Sequence, residues 1–274
     1  MNSTDDGARR GLFLFFILTF LVSWGAWLVA IALGGSAKSS PTAIPYVIGA
    51  FGPLIGAGAV RFRRARRHRP APPLAVRSRG LRLLWVLPLL ATGAATVLGA
   101  ALLAPSLGGP ALDLDPGLRL VTEAGGPVGF LIAMLIGGPL PEEPGWRGTA
   151  YPRLRARMGR PATVLVLGTV WAVWHLPLFF IPGTVQAGFG LTSWSGLLFF
   201  LTFVPMTVLT GFAYERAGVA GSIAVHFGFN ATIALLTAGS PIVQALTIVI
   251  QGTLALVVLN TRQPQPQPQY AVAS

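Results

Sequence analysis

The chain has 274 residues, of which 53% are hydrophobic and 10% charged; soluble domains carry about 25% charged residues, so water is excluded as the solvent for most of it. The absence of cysteine excludes a disulfide scaffold, a thiol nucleophile and a cysteine metal site. The net charge of +12 is arginine apart from Lys38, and clusters such as RFRRARRHR at 61–69 lie beside apolar runs, which points to retention on one membrane face rather than to nucleic acid.

In chain order, residues 1–11 form a short polar N-terminus, expected to be cytoplasmic. The apolar run 12–33 follows Arg9 and Arg10 as the core of a signal peptide would. Such cores have only about 7–15 residues, so this run is expected to be the first transmembrane helix. Further runs at 43–60, 83–104, 127–140, 161–181, 193–214, 219–238 and 241–259 bring the expected number of membrane helices to about eight. A bilayer core of about 30 Å asks for about 20 residues at 1.5 Å each. The second run is short, and its IGAFGPLIGAG predicts a kinked helix packed on small faces. The fourth reaches span length only by continuing through PEEPGWRG, where Pro144 predicts a kink.

Arginine placement predicts the orientation. The loops after the second, fourth and sixth runs carry Arg61–Arg82, Arg153–Arg160 and Arg216, and alternation puts all three on one side with both termini. The positive-inside rule makes that side cytoplasmic in a multi-pass cell-membrane protein. The opposite connections are acidic or neutral: ALDLDPGLRLVTEAGG holds Asp113, Asp115 and Glu123, and PGTVQAGFGLT has no charge. The predicted fold is therefore an all-α polytopic bundle. Residues 12–126 form a three-helix region with a basic cytoplasmic loop, 127–238 the helices that hold the candidate site, and 239–260 the last membrane helix. The Pro/Gln-rich tail 261–274 is expected to be disordered. No internal repeat is visible, so an inverted-repeat transporter is not indicated.

Ionisable groups inside spans are costly enough to mark function, and this chain has few. Glu142, Glu143 and Arg147 close the fourth span, His175 lies in the fifth, and His226 and Asn230 lie in the seventh. Glu143 with Arg147, and His226 with Asn230, are i,i+4 pairs that each share a helix face. Glu142 points about 100° away from Glu143 and is free for a separate role. Alone, each has a structural reading: the glutamates as interfacial acids closing a helix, each histidine as a bridge between helices. Together they predict a cytoplasm-facing intramembrane pocket. A carboxylate and an imidazole can take a proton from water, and a second imidazole with an amide can hold an oxyanion; these are the groups that amide hydrolysis needs. A buried Glu143–Arg147 pair is poor evidence for stability and is expected to orient the site. Two histidines and a carboxylate also admit a three-ligand zinc site, although HExxH is missing. A proton-coupled transporter is the rival from another class, since the same residues can relay protons. The outer halves of the spans, however, supply few polar groups.

EEPGWRG, WAVWH and HFGFN resemble the three motifs of the CPBP family of intramembrane proteases, also called the Abi or CAAX protease and bacteriocin-processing family. The pattern is Glu-Glu-x-x-x-Arg, Phe-x-x-x-His and His-x-x-x-Asn, each on its own membrane helix, and it covers about residues 127–238. The resemblance implies a glutamate-dependent protease that uses no cofactor. By it, Glu142 and His175 would activate water, His226 and Asn230 would form the oxyanion hole, and Glu143 and Arg147 would hold the site. Trp171 replaces the usual phenylalanine and, as a supporting residue, is expected to narrow the pocket by its bulk. The implied partner is a membrane-associated protein or peptide cut near its C-terminus. Catalytically inactive immunity proteins are the alternative within the family. The arginine-, alanine- and proline-rich composition suggests a bacterial chain from a GC-rich genome.

Overall fold

A computed structural model of the chain describes residues 3–68, 72 and 75–261. The expected Pro/Gln tail lies, from residue 262 on, outside the described residues. Among the described residues every regular element is helical. The order is α1 (Ser3–Leu33), α2 (Ala43–Ala50), α3 (Gly52–Arg66), a 3-10 turn at Gly80–Trp85, α4 (Val86–Leu103), α5 (Asp115–Glu123), α6 (Pro127–Ile136) and α7 (Pro139–Gly145). A π turn at Trp146–Ala150 leads into α8 (Tyr151–Arg155) and α9 (Arg160–Trp174), with a 3-10 turn at Leu176–Phe180. Then come α10 (Val185–Phe189), α11 (Trp194–Ala217), α12 (Val219–Leu235) and α13 (Pro241–Asn260).

Among the described residues, five helices are long and apolar enough to cross a membrane: Arg9–Leu33, Gly80–Leu107, Arg160–Phe180, Trp194–Ala217 and Pro241–Asn260. Two bent pairs, α2 with α3 and α5 with Pro127–Arg155, raise the number to seven if each is one span. The chain is a multi-pass membrane protein. The seventh expected span is present as α12, but at 17 residues it is shorter than a full crossing. It ends before Thr237, which adopts φ 45 ahead of Gly239, Ser240 and Pro241. Apolar side chains such as Phe13, Leu21, Leu87, Trp194 and Leu256 point outward from the bundle. In water they would form an outsized apolar surface; in a bilayer they face lipid.

The expected kink in the second run is a 44° bend between α2 and α3, where Phe51, Gly52 and Pro53 interrupt the helix. The connection at 111–126, expected as a loop, contains α5. Pro116 sits in its first turn, where a missing N–H costs nothing, and Asp115 complements the dipole there. Small residues bring α12 against α4: Gly93 abuts the Val225 carbonyl and Gly228 abuts the Leu90 carbonyl, so a side chain at either would push the helices apart. This contact fixes the height of the helix that carries His226 and Asn230.

The arginine-bearing turns share one end of the bundle. Arg82 Nη1 donates to the carbonyls of Glu215 and Arg216, both at 3.2 Å. Glu215 pairs with Arg160 and accepts from Tyr151 Oη at 2.8 Å, while Arg160 Nη1 donates to Val258 O near the end of α13. The Arg61 guanidinium approaches Gly148, and that of Arg153 approaches Gly11 near the start of the chain.

Candidate active site

The site is built around the break and re-winding of the fourth apolar run. Gly137 and Gly138 separate α6 from α7, and α7 carries Glu142 and Glu143. Pro144 sits inside this helix and has no N–H to donate one turn back. The chain does not stop there; it widens into the π turn that contains Arg147. Thr149 Oγ1 donates to the Pro144 carbonyl at 3.0 Å, satisfying an acceptor in the irregular turn. The helix thus runs on through Arg147, continuing past Pro144 by way of the π turn.

The two adjacent glutamates reach different helices. Glu142 Oε2 accepts from the indole Nε1 of Trp171, on α9, at 2.6 Å. Glu143 Oε1 accepts from Arg147 Nη1 at 3.1 Å and lies 2.8 Å from His226 Nδ1 on α12. Glu143 and Arg147 are fully buried. Arg147 makes two further contacts: Nη2 donates to Thr207 Oγ1 on α11 at 3.3 Å, and its guanidinium lies 4.0 Å from the centre of the Trp171 ring. The ion pair therefore joins α7 and the π turn to α9, α11 and α12, as well as closing its own helix.

Three polar atoms converge beside Gly138. A methyl group placed on that residue in ideal geometry would lie 3.0 Å from Asn230 Nδ2, 3.4 Å from Glu142 Oε1 and 3.7 Å from His226 Nε2. A carboxylate, an imidazole and an amide, 88 residues apart at their extremes (230 − 142), thus face one small space. His175 joins this cluster through Trp171. Its Nδ1 lies 2.9 Å from the Trp171 carbonyl, to which it donates, leaving Nε2 as the acceptor in the neutral ring. Its ring packs edge-on against Trp174, at 4.7 Å between centroids, and lies tilted against Phe203, also at 4.7 Å. Behind the site, Trp146, Trp174, Trp27 and Phe15 form a continuous aromatic wall.

All seven residues singled out in the sequence are therefore in or against one buried cluster. Trp171 occupies a different place from the one its bulk suggested: its N–H points at Glu142, and its ring lies between Arg147 and His226. Gly138 and Thr207 were not legible. The signal for the first was GGP immediately ahead of the glutamates. The second is one of three threonines in the sixth apolar run, where Thr202 and Thr210 bond only their own helix. Among the described residues no group of three His, Asp or Glu side chains is arranged to hold a metal ion.

Comparison with known proteins falls on this same segment. Residues 124–232 match the family described as type II CAAX prenyl endopeptidase Rce1-like. Over 119 residues the chain is 34% identical to the CAAX prenyl protease 2 of Methanococcus maripaludis. Over this segment the chain is similar to that family and to that relative. The aligned part is 42% of this chain and 42% of the archaeal relative, so the chain spans less than half the length of that curated protein. The matched segment contains Glu142, Glu143, Arg147, Trp171, His175, His226 and Asn230, and it excludes α1 to α5 and α13.

Proposed function

We propose that the chain is an intramembrane endopeptidase that cuts a membrane-associated protein or peptide near its C-terminus, with water as nucleophile. The observation that carries this reading is the convergence of Glu142 Oε1, His226 Nε2 and Asn230 Nδ2 beside Gly138. A scissile carbonyl laid against Gly138 has a carboxylate on one flank and nitrogen groups on the other. Glu142, aided by the free Nε2 of His175, takes a proton from water as the new C–O bond forms. The carbonyl π electrons move to oxygen, and this oxyanion is held by Asn230 Nδ2–H and His226 Nε2–H. With Nδ1 already donating to Glu143, Nε2 carries a proton only in the imidazolium form, for which Glu143 is the counter-ion. Collapse breaks the C–N bond, and the proton held by Glu142 passes to the departing nitrogen. Carboxylic acid and amine are the products, and the carboxylate is restored.

The family name and the archaeal relative's name both speak of CAAX prenyl substrates, so a lipidated C-terminal peptide is the first substrate to try. With the arginine-rich end in the cytoplasm, as the positive-inside rule directs, α7 and the π turn run on toward that side. The reading needs no metal.

Purified protein in lipid nanodiscs is expected to cleave such a peptide, with or without a strong chelator. The Gly138→Ala protein is expected to lose about a hundredfold in rate, since its methyl group would occupy the reacting space. Its unfolding temperature should stay close to that of the parent. Full activity in Gly138→Ala would remove the site from this place. Chelator inhibition reversed by zinc would replace the mechanism with a metal-dependent one. Proton flux into liposomes without any peptide cleavage would favour a transporter.

A further inference from the structure

Trp171 touches more of the cluster than any residue assigned a chemical role. Its indole Nε1 donates to Glu142 Oε2 at 2.6 Å, leaving Glu142 Oε1 as the oxygen that faces Gly138. Its ring carries the Arg147 guanidinium at 4.0 Å and meets the His226 ring edge-on at 5.3 Å. Its main-chain carbonyl accepts from His175 Nδ1. The ring itself is fixed by Phe203, T-shaped at 4.8 Å, and is almost completely buried. A carboxylate joined to its helix by a flexible side chain would otherwise turn either oxygen toward the reacting space.

We propose that Trp171 is a positioning residue, whose indole N–H anchors one oxygen of Glu142 so that the other is aimed at the substrate. Phenylalanine, the residue expected here from the motif, keeps an aromatic ring beside Arg147 and His226 but has no N–H. In this chain, then, the orientation of the carboxylate rests on a donor that the motif does not require. The kinetic consequence rests on the peptidase reading above, whereas the contact itself can be tested without it.

The experiment has two arms. In the first, Trp171→Phe is expected to lower kcat about 10- to 100-fold, the range set by loss of a hydrogen bond to a charged group. KM should change by no more than about twofold, because the bond acts on the base rather than on substrate binding. A residue that only filled space would instead lower folded yield and unfolding temperature, with kcat per folded molecule retained. In the second arm, the indole 15N–1H resonance of Trp171 is identified by its disappearance in Trp171→Phe. It is expected to be downfield in the parent protein and to move upfield in Glu142→Ala. An unchanged kcat in folded Trp171→Phe, or an indole resonance indifferent to Glu142→Ala, would overturn the proposal. If the parent cleaves nothing while the resonance responds to Glu142→Ala, the anchor stands and the peptidase reading falls.

Discussion

The Glu142→Gln protein is expected to cleave peptide about 10³-fold more slowly than the parent, while unfolding within a few degrees of it. General-base catalysis contributes roughly 10² to 10⁴ in rate, and glutamine removes that contribution with little change of shape. The amide oxygen can still accept from Trp171 Nε1, so the local packing is retained. It cannot take a proton from water. The comparison therefore separates chemistry from architecture more cleanly than truncation to alanine, which would open a void between α7 and α9. A Glu142→Gln rate within tenfold of the parent would show that another group takes the proton.

Arg147→Met is expected to have the largest effect on stability, lowering it by about 3–5 kcal/mol, the range for removing one partner of a buried ion pair. Both members of the Glu143–Arg147 pair are fully buried, so water cannot replace the lost guanidinium. His226 is 2.8 Å from the same carboxylate, but it offsets the charge only when protonated. Thr207 would also lose its donor, and Trp171 the cation above its ring. The double variant Glu143→Gln with Arg147→Met is expected to recover much of the loss, because the buried carboxylate that Arg147 neutralised is gone as well. Denaturant unfolding in mixed micelles measures both. A single-variant loss below about 1 kcal/mol would place the pair in a solvated environment instead.

The helical class and the gathering of the rare polar residues were legible for related reasons. Runs of apolar residues of span length leave the backbone only one way to satisfy itself in lipid, and each of the eight runs is helical. Rare polar residues in those runs have few neighbours able to pay for their burial, so their mutual contact followed from scarcity. What escaped depended on local chemistry that periodicity does not report. The helix α5 was hidden because its three charged residues, Asp115, Arg119 and Glu123, read as loop. The seventh run shortened because Thr237 and Gly239 end α12 before the apolar pattern ends. Gly138 has no side chain to draw attention; its role lies in the space it leaves. Trp171 was read by size, whereas the direction of its N–H depends on how α9 is rotated against α7.

One measurement bears on the whole scheme: a structure of the Glu142→Gln protein holding its uncleaved peptide. The scissile carbonyl oxygen is expected about 2.7–3.1 Å from both His226 Nε2 and Asn230 Nδ2, with the carbonyl carbon turned toward residue 142 across Gly138. A peptide seated elsewhere in the bundle, with those nitrogens contacting only protein, would contradict it.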